Sequence, residues 1–154
     1  GSFFYKDSIV KFAELPDSFL IDIPENMVAY NFKVNTLTTY GNSMYPGNYV
    51  DVYFKGVDGA KIILGKLVQN VKILAVKDSN GNHVFENNTE ERTPNQIIFA
   101  VTEEISELLR TAEYINDAEI ILVPTNVSYR YETDQIVTDI TSTEIKEYIE
   151  NNRR

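Results

Sequence analysis

The chain has 154 residues, 43% of them apolar, and contains no cysteine. This length fits a single domain with its own hydrophobic core, and the lack of cysteine excludes disulfides, thiolate metal sites and a cysteine nucleophile. The formal net charge is -9, from 23 acidic and 14 basic residues. Because such a charge repels phosphate polyanions, we expect no nucleic acid partner.

The N-terminal part of the chain predicts one clear strand. Residues 1–18 show no firm period and predict an extended, irregular segment. Residues 27–34 alternate between apolar and polar side chains, which is typical of a strand with one buried face. The stretch 36–44 combines Thr, Tyr, Gly, Asn and Ser and predicts a loop.

A tight turn and a strand follow at 45–54. Pro46 and Gly47 suit the two central positions of a type II turn, because Pro fixes a negative φ and Gly accepts a positive one. The strand after it has period two. The predicted buried face holds Val50, Val52 and Phe54, and the predicted solvent face holds Asp51, Tyr53 and Lys55.

Two further turns are predicted around the longest strand. Residues 55–59 contain two glycines and an aspartate and predict a flexible turn. Residues 67–77 are apolar on both faces, as in a central strand. Asn80 and Gly81 then predict a type I′ hairpin turn, with 83–86 as a short return strand.

The second half of the chain predicts a strand, a helix and another strand. Residues 96–101 form an apolar run, and a helix is predicted over 102–115 with Thr102 as N-cap. Its apolar stripe consists of Ile105, Leu108, Leu109 and Ala112. A strand is predicted over 118–123 and should end at Pro124, which cannot continue a ladder.

The C-terminal tail predicts a short amphipathic helix. Thr141 and Glu144 have the spacing of a capping box, and Ile145, Tyr148 and Ile149 form a narrow apolar stripe. The whole pattern predicts an α+β fold, a mostly antiparallel sheet of about six strands with one packed helix and a loosely attached C-terminal helix. The predicted domain is 19–125, between the extended segment 1–18 and the tail 126–154.

No catalytic, cofactor or metal site is predicted. His83 is the one histidine, and a lone imidazole is a poor basis for triad or zinc chemistry. The stretch from Gly59 to Lys66 has five residues between its glycines and no hydroxyl after the lysine, so it does not fit a phosphate loop. The loop that begins at Asp78 has Gly81 at the wrong position for a calcium site.

The tyrosines give the one candidate surface. Tyr45, Tyr49 and Tyr53 lie around the central turn and could form a face that binds protein or glycan. Tyrosine is also a favoured strand residue, so the sequence leaves a purely structural role open.

Four stretches, in matching order, resemble the CpaB/RcpC family of Flp (Tad) pilus assembly proteins. They are the Ile-Pro turn and strand at 23–29, the Pro-Gly turn and Val-Asp-Val strand at 45–52, the Leu-Val-Gln-Asn-Val strand at 67–76, and the strand, helix and strand at 99–124. Two positions depart from the pattern. Asn48 stands where the family usually has aspartate, and Tyr49 where it often has arginine.

The resemblance implies a non-enzymatic, extracytoplasmic component of a Flp (Tad) pilus or related secretion machinery. Its partners would be other assembly proteins, and a β-clip, SAF-related segment would lead into an RcpC-like domain. A membrane helix upstream of this chain would anchor it to the cytoplasmic membrane, with the domain in the periplasm or at the cell surface. The alternative is a carbohydrate- or cell-wall-binding β-clip module, in which tyrosine rings stack on a glycan.

Overall fold

The computed structural model describes residues 18–85, 92–125 and 138–152. The strands are β1 (Val28–Lys33), β2 (Tyr49–Asp58), β3 (Lys61–Lys77), β4 (Gln96–Val101), β5 (Glu119–Thr125) and β6 (Asp139–Ile140). The α-helices are α1 (Glu103–Glu113) and α2 (Thr143–Asn151), and a 3-10 helix spans Ser18–Asp22. Apart from Ser18, the predicted extended segment lies outside the described residues, as do 126–137 of the predicted tail.

Five strands form one sheet in the order β1-β4-β3-β2-β5, and every neighbouring pair is antiparallel. The short β6 pairs with β3 at Val68 and Gln69. It therefore lies on a stretch of β3 that β4 does not reach, since β4 pairs with β3 only from Lys72 onward. The mostly antiparallel α+β fold predicted from the sequence is confirmed.

The main core lies between the inner face of the sheet and the two helices. Val50, Val52 and Phe54 of β2 are fully buried there, as predicted, against the apolar stripes of α1 and α2. A smaller cluster covers part of the outer face, where Phe19 of the 3-10 helix packs on β3 and β4. The long strand β3 is therefore buried on both sides of the sheet.

The central turn has the predicted geometry. Asn48 N–H donates to the Tyr45 carbonyl at 3.1 Å, and Gly47 has a φ of +92°, as a type II turn requires. Gly47 N–H also donates to the Ile73 carbonyl at 2.8 Å. This bond fastens the turn to β3, so the turn sets where β2 enters the sheet.

The prediction of a flexible turn over 55–59 is wrong. Asp58 pairs with Lys61, so the turn consists of Gly59 and Ala60 alone, with Gly59 at a φ of +64°. Both strands of this hairpin are longer than predicted, and β3 begins at Lys61 rather than at residue 67. The glycine of 55–59 that lies in β2, Gly56, has a packing role described below.

The predicted type I′ turn at Asn80-Gly81 is also wrong. Gly81 N–H donates to the Asp78 carbonyl at 3.1 Å and Asp78 N–H donates to the Asn82 carbonyl at 2.9 Å, while Gly81, unlike Asn80, has a positive φ. This is a three-residue loop with a glycine bulge. The predicted return strand is reduced to a single bridge between Lys77 and His83, and Glu86 lies outside the described residues.

The predicted N-cap and apolar stripe of α1 are confirmed. Thr102 Oγ1 accepts the Ile105 N–H at 3.3 Å, and the helix ends at Glu113, two residues before the predicted end. The prediction that Pro124 ends the next strand is wrong, because β5 continues to Thr125 with Pro124 opposite Val50. Proline is tolerated there because β5 is an edge strand and its outer side needs no N–H donor.

The C-terminal helix differs from the prediction in its cap and in its attachment. Ser142, not Thr141, is the N-cap and accepts the Ile145 N–H at 3.2 Å. Thr141 instead bonds to β3, through its N–H to the Leu67 carbonyl and its hydroxyl to the Lys66 carbonyl, both at 2.9 Å. The expected loose attachment is wrong, since Ile149 is 0% exposed.

Two glycines of the β2–β3 hairpin leave room for α2. A Cβ on Gly56 would lie 2.8 Å from the Phe54 ring and 2.9 Å from the Tyr148 ring. A Cβ on Gly65 would lie 3.0 Å from Ile145 Cδ1. The packing site of α2 is therefore determined by these two glycines of the hairpin. In the part of the chain that the structure describes, neither helix is long and apolar enough to cross a membrane.

Candidate interaction surfaces

Two of the three predicted surface tyrosines share the outer face of β2. Tyr49 lies opposite Lys72 of β3, and Tyr53 lies between Lys66 of β3 and Ile121 of β5. Their rings are half-buried. The third, Tyr45, lies in the turn before β2, where its ring centroid is 4.4 Å from that of Phe85. The structure therefore brings Tyr49 and Tyr53 onto one face and leaves Tyr45 outside that strand.

The same outer face carries exposed aliphatic side chains at the far end of the hairpin. Val57 pairs with Ile62, and Leu64 pairs with Lys55. Ile62 is 66% exposed and Leu64 is 61% exposed, so the hairpin patch, defined as Val57, Ile62 and Leu64, is open to solvent. The sequence does not predict this patch, because the predicted β2 ends at residue 54 and the predicted β3 begins at residue 67, whereas both strands continue into the hairpin end.

Asp51 was predicted to face solvent and is instead 2% exposed. Its carboxylate lies 3.1 Å from Lys66 Nζ and accepts the Asn70 N–H, also at 3.1 Å. The pairing of β2 with β3 shifts register beside Asp51, and Asn70 adopts a φ of +59°. This irregularity turns the Asn70 amide toward the carboxylate, and no local pattern in the sequence predicts it.

A groove of about 430 Å³ lies between the two edge strands of the sheet. One wall is Glu119–Leu122 of β5, and the other is Phe32 and Lys33 of β1 with the loop that follows. The edges β1 and β5 stand at opposite ends of the strand order. Because both line one groove, the sheet must curl until its edges face each other. The sequence contains no signal for this groove, since its walls are far apart along the chain.

An ordered loop, 35–42, forms one rim of the groove. Asn35 and Thr38 exchange backbone-to-side-chain hydrogen bonds, each at 2.8 Å, and the buried Thr39 hydroxyl donates to the Asn35 carbonyl at 2.8 Å. These bonds hold Tyr40 at a φ of +57°, which is unfavourable for a bulky side chain. Leu37, 85% exposed, and Tyr40 both line the groove.

Helix α1 is fastened to β1 at Tyr30 and Asn31, which precede the groove-lining residues of that strand. The Tyr30 hydroxyl donates to Glu113 Oε2, and the Arg110 guanidinium lies 4.1 Å from the Tyr30 ring centroid. Arg110 also donates to Asn31 Oδ1 at 2.6 Å and to the Asn31 carbonyl at 3.4 Å. Burial, and then the hydrogen bond to Glu113, raise the pKa of Tyr30, so it stays a neutral donor. The cluster holds the helix in place.

His83 and Asp78, which were considered as possible chemical sites in the sequence, contact neighbouring residues of the fold. The ring centroid of His83 lies 6.3 Å from that of Phe19, and the His83 carbonyl accepts from Arg92 at 2.7 Å. The Asp78 carboxylate accepts the amides of Asn80 and Asn82, each at 2.9 Å. Across the described ranges, no three acidic or histidine side chains are grouped to hold a metal ion. The stretch from Gly59 to Lys66, which does not fit a phosphate loop, is part of the β2–β3 hairpin.

Comparison with known proteins gives one family. The model of a family described as "Flp pilus assembly protein RcpC/CpaB" matches residues 18–123. No curated protein and no solved structure gives a significant match. The matched span includes the 3-10 helix, β1 to β4, α1 and most of β5, and leaves β6 and α2 outside it.

Proposed function

The chain belongs to the RcpC/CpaB family of Flp pilus assembly proteins, and we propose that it acts through protein–protein contacts as a non-enzymatic part of such a pilus or related secretion machinery. The observation that carries this proposal is the exposed hairpin patch. Its aliphatic side chains cluster at the end of the β2–β3 hairpin, and exposed apolar clusters mark contact sites in soluble domains. The buried charge of Asp51, by contrast, is used inside the fold.

The proposed setting is extracytoplasmic, in the periplasm or at the cell surface. The support is the resemblance to a family that works outside the cytoplasmic membrane, held there by an N-terminal membrane helix. In this arrangement the domain 19–125 carries the contacts, and the tail 126–154 packs its helix back onto the hairpin. The hairpin patch lies on the outer face, so α2 on the inner face leaves it accessible.

The test is recovery of assembly proteins from pilus-bearing cells. Wild-type protein, Leu64→Asp and Ala60→Asp are each expressed in cells that lack the native copy, cross-linked, solubilised and purified. Ala60→Asp is the matched control, because it adds the same charge to the exposed turn of the same hairpin. We expect Leu64→Asp to recover about tenfold less assembly protein than the other two, since a charge must be desolvated at the contact. Normal pili in cells without the protein would contradict the pilus role.

A second candidate function is binding to wall glycan. The pair Tyr49 and Tyr53 on one outer face favours it, because tyrosine rings supply flat apolar surface with a polar tip. Co-sedimentation with purified peptidoglycan, compared between wild type and Tyr53→Ala, separates the two functions. Tight binding that Tyr53→Ala abolishes, together with no recovered assembly protein, would favour the glycan function over the contact function.

A further inference from the structure

The groove follows the backbone edge of β5 rather than one of its faces. Successive side chains of a strand point to opposite faces, so a cavity on one face touches every second residue. This groove is lined by four consecutive residues, Glu119–Leu122, and on the other wall by the consecutive pair Phe32 and Lys33. A space that touches consecutive residues of two edge strands has the position of a missing strand.

The outward backbone groups of β5 can be assigned from the neighbouring hydrogen bonds. The Asn48 carbonyl accepts the Ile73 N–H of β3, whereas the Tyr49 carbonyl points to the other side and accepts the side-chain hydroxyl of Thr125 in β5 at 3.4 Å. The backbone N–H and C=O groups of odd-numbered β2 residues therefore point toward β5. Their partners on β5 are also odd-numbered, since the antiparallel register pairs Tyr49 with Thr125. Ile120 and Leu122 consequently direct their N–H and C=O groups into the groove, and Pro124 stands where no donor is needed.

The opposite wall is partly closed by α1. Val34 N–H donates to the Asn95 carbonyl on the β4 side, so the even-numbered residues of β1 face β4 and the odd-numbered ones face the gap. At Asn31 the outward carbonyl already accepts a hydrogen bond from Arg110 of α1. At Lys33 the gap is open, and the groove begins there.

The strand order fixes the direction of a segment that would fit. Every neighbouring pair in the five-strand order is antiparallel, so β1 and β5, at its two ends, run in the same direction. One more strand between them can therefore be antiparallel to both. A segment in that orientation continues the pattern of the sheet and joins its two edges.

We propose that this groove binds an extended segment of another assembly protein, added as a strand antiparallel to β5. The segment has apolar side chains at alternate positions, which pack inward beside Phe32 and Leu122, and charged side chains pointing outward. Lys33 and Glu119 are exposed at the two walls, and neither forms an ion pair with another residue of the described ranges. We therefore expect the segment to carry a carboxylate that pairs with Lys33 and a basic group that pairs with Glu119. This inference rests on the proposed contact function and adds to the hairpin patch a second contact site, the groove, with the chemistry of its partner segment.

The experiment selects peptides directly on the purified chain. A phage-displayed library of random peptides of about twelve residues is panned on the protein, and enriched peptides are synthesised. Binding is measured to wild type, to Lys33→Glu and to Lys61→Glu, which makes the same charge change on the exposed hairpin end away from the groove. Amide hydrogen exchange is followed with and without peptide.

We expect enriched peptides with apolar residues at every second position, bound about tenfold more weakly by Lys33→Glu and within about twofold of wild type by Lys61→Glu. Exchange at Ile120 and Leu122 should slow on binding. No enrichment, enrichment without period two, or unchanged exchange at both amides would overturn the proposal. Peptides that copy 1–17 or 126–137 of this chain would assign the groove to the protein's own segment instead. This test uses only purified protein and peptides, so its result is independent of the pilus experiment. If cells without the protein made normal pili but the peptides still bound as a strand, the proposed pilus function would be wrong and the binding site would stand.

Discussion

Gly56 shows how a single residue decides where α2 packs. Its missing Cβ leaves the space between two aromatic rings, and one of these, Phe54, is fully buried and fixed by the core. We expect Gly56→Ala to lower the free energy of unfolding by about 1 to 3 kcal/mol, because overpacking forces ring or backbone shifts. Urea denaturation followed by circular dichroism measures the loss.

Gly65→Ala is the matched comparison for this substitution. Its Cβ would approach only the terminal methyl of Ile145, at 3.0 Å, and that methyl can move by changing rotamer. The loss should therefore be smaller than for Gly56→Ala. Equal losses, or a larger loss for Gly65→Ala, would show that the rings around Gly56 do not set the packing.

Asp78 gives a prediction of pH dependence at a single residue. The backbone hydrogen bond from Asn82 is the largest cause that lowers the pKa of Asp78 below its ordinary value of 3.8, and the Asn80 amide and the Arg92 charge add to it. A carboxyl with a lowered pKa in the folded state stabilises the fold at pH values above its ordinary pKa and loses this effect as the pH falls through the lowered one. The Tm difference between wild type and Asp78→Asn should be largest near neutral pH and shrink below pH 3.8.

Thermal melts across this pH range check the prediction. Asp58→Asn is the control, because Asp58 is an exposed aspartate at the β2–β3 turn and Asn preserves its shape. A difference for Asp78→Asn that stays constant down to the acid limit would mean that the charge of Asp78 does not stabilise the hairpin loop.

Helix α1 packs its apolar stripe against the sheet. The contribution of the stripe to stability can be tested by truncating one of its side chains at a time. Leu108 is buried against the inner core, so Leu108→Ala should cost about 2 to 5 kcal/mol through lost burial and the cavity left behind. Leu37→Ala removes the same atoms from an exposed loop position and should change stability by less than about 0.5 kcal/mol. Similar values for the two variants in denaturant melts would place the stripe of α1 away from the core.

The elements predictable from sequence are those whose pattern is complete within a few residues. Alternation over 27–34 and the stripe from Ile105 to Ala112 gave β1 and α1, because a buried face imposes its own period. The hairpin at Asp78 was mispredicted because the carboxylate bonds to nearby amides and stabilises a different turn. Pro124 was mispredicted because a sequence pattern does not reveal which strand is an edge.

The surfaces were less predictable than the helices and strands, because a surface can combine residues that lie far apart along the chain. Tyr45, Tyr49 and Tyr53 were predicted as a candidate face around the central turn, and two of them, Tyr49 and Tyr53, lie on the outer face of one strand, β2. The groove needs β1 and β5, which come together only when the whole sheet curls. Contact surfaces that depend on such long-range closure have no local signature, whereas the residues of a single strand face do.

At the scale of the whole molecule, the C-terminal segment and the family-matched domain act as one packing unit. β6 adds hydrogen bonds to β3, with Thr141 bonded to the Leu67 and Lys66 carbonyls. α2 then buries Ile149 in the inner core, and Lys146 lies 3.1 Å from Glu104 of α1. The Tyr148 hydroxyl donates to the Val57 carbonyl at 2.5 Å. These contacts join α2 to α1 and to the β2–β3 hairpin.

We therefore expect α2 to unfold together with the sheet. Native-state hydrogen exchange should give the α2 amides of Tyr148 and Ile149 the same opening free energy as amides in the middle of β3, and Ile149→Ala should lower both by the same amount, about 2 to 5 kcal/mol. The shared shift follows because removal of a core side chain destabilises every amide that exchanges only through global unfolding. Exchange of the α2 amides at a distinctly lower free energy, with β3 unaffected by Ile149→Ala, would show that the C-terminal helix detaches while the rest of the domain stays folded.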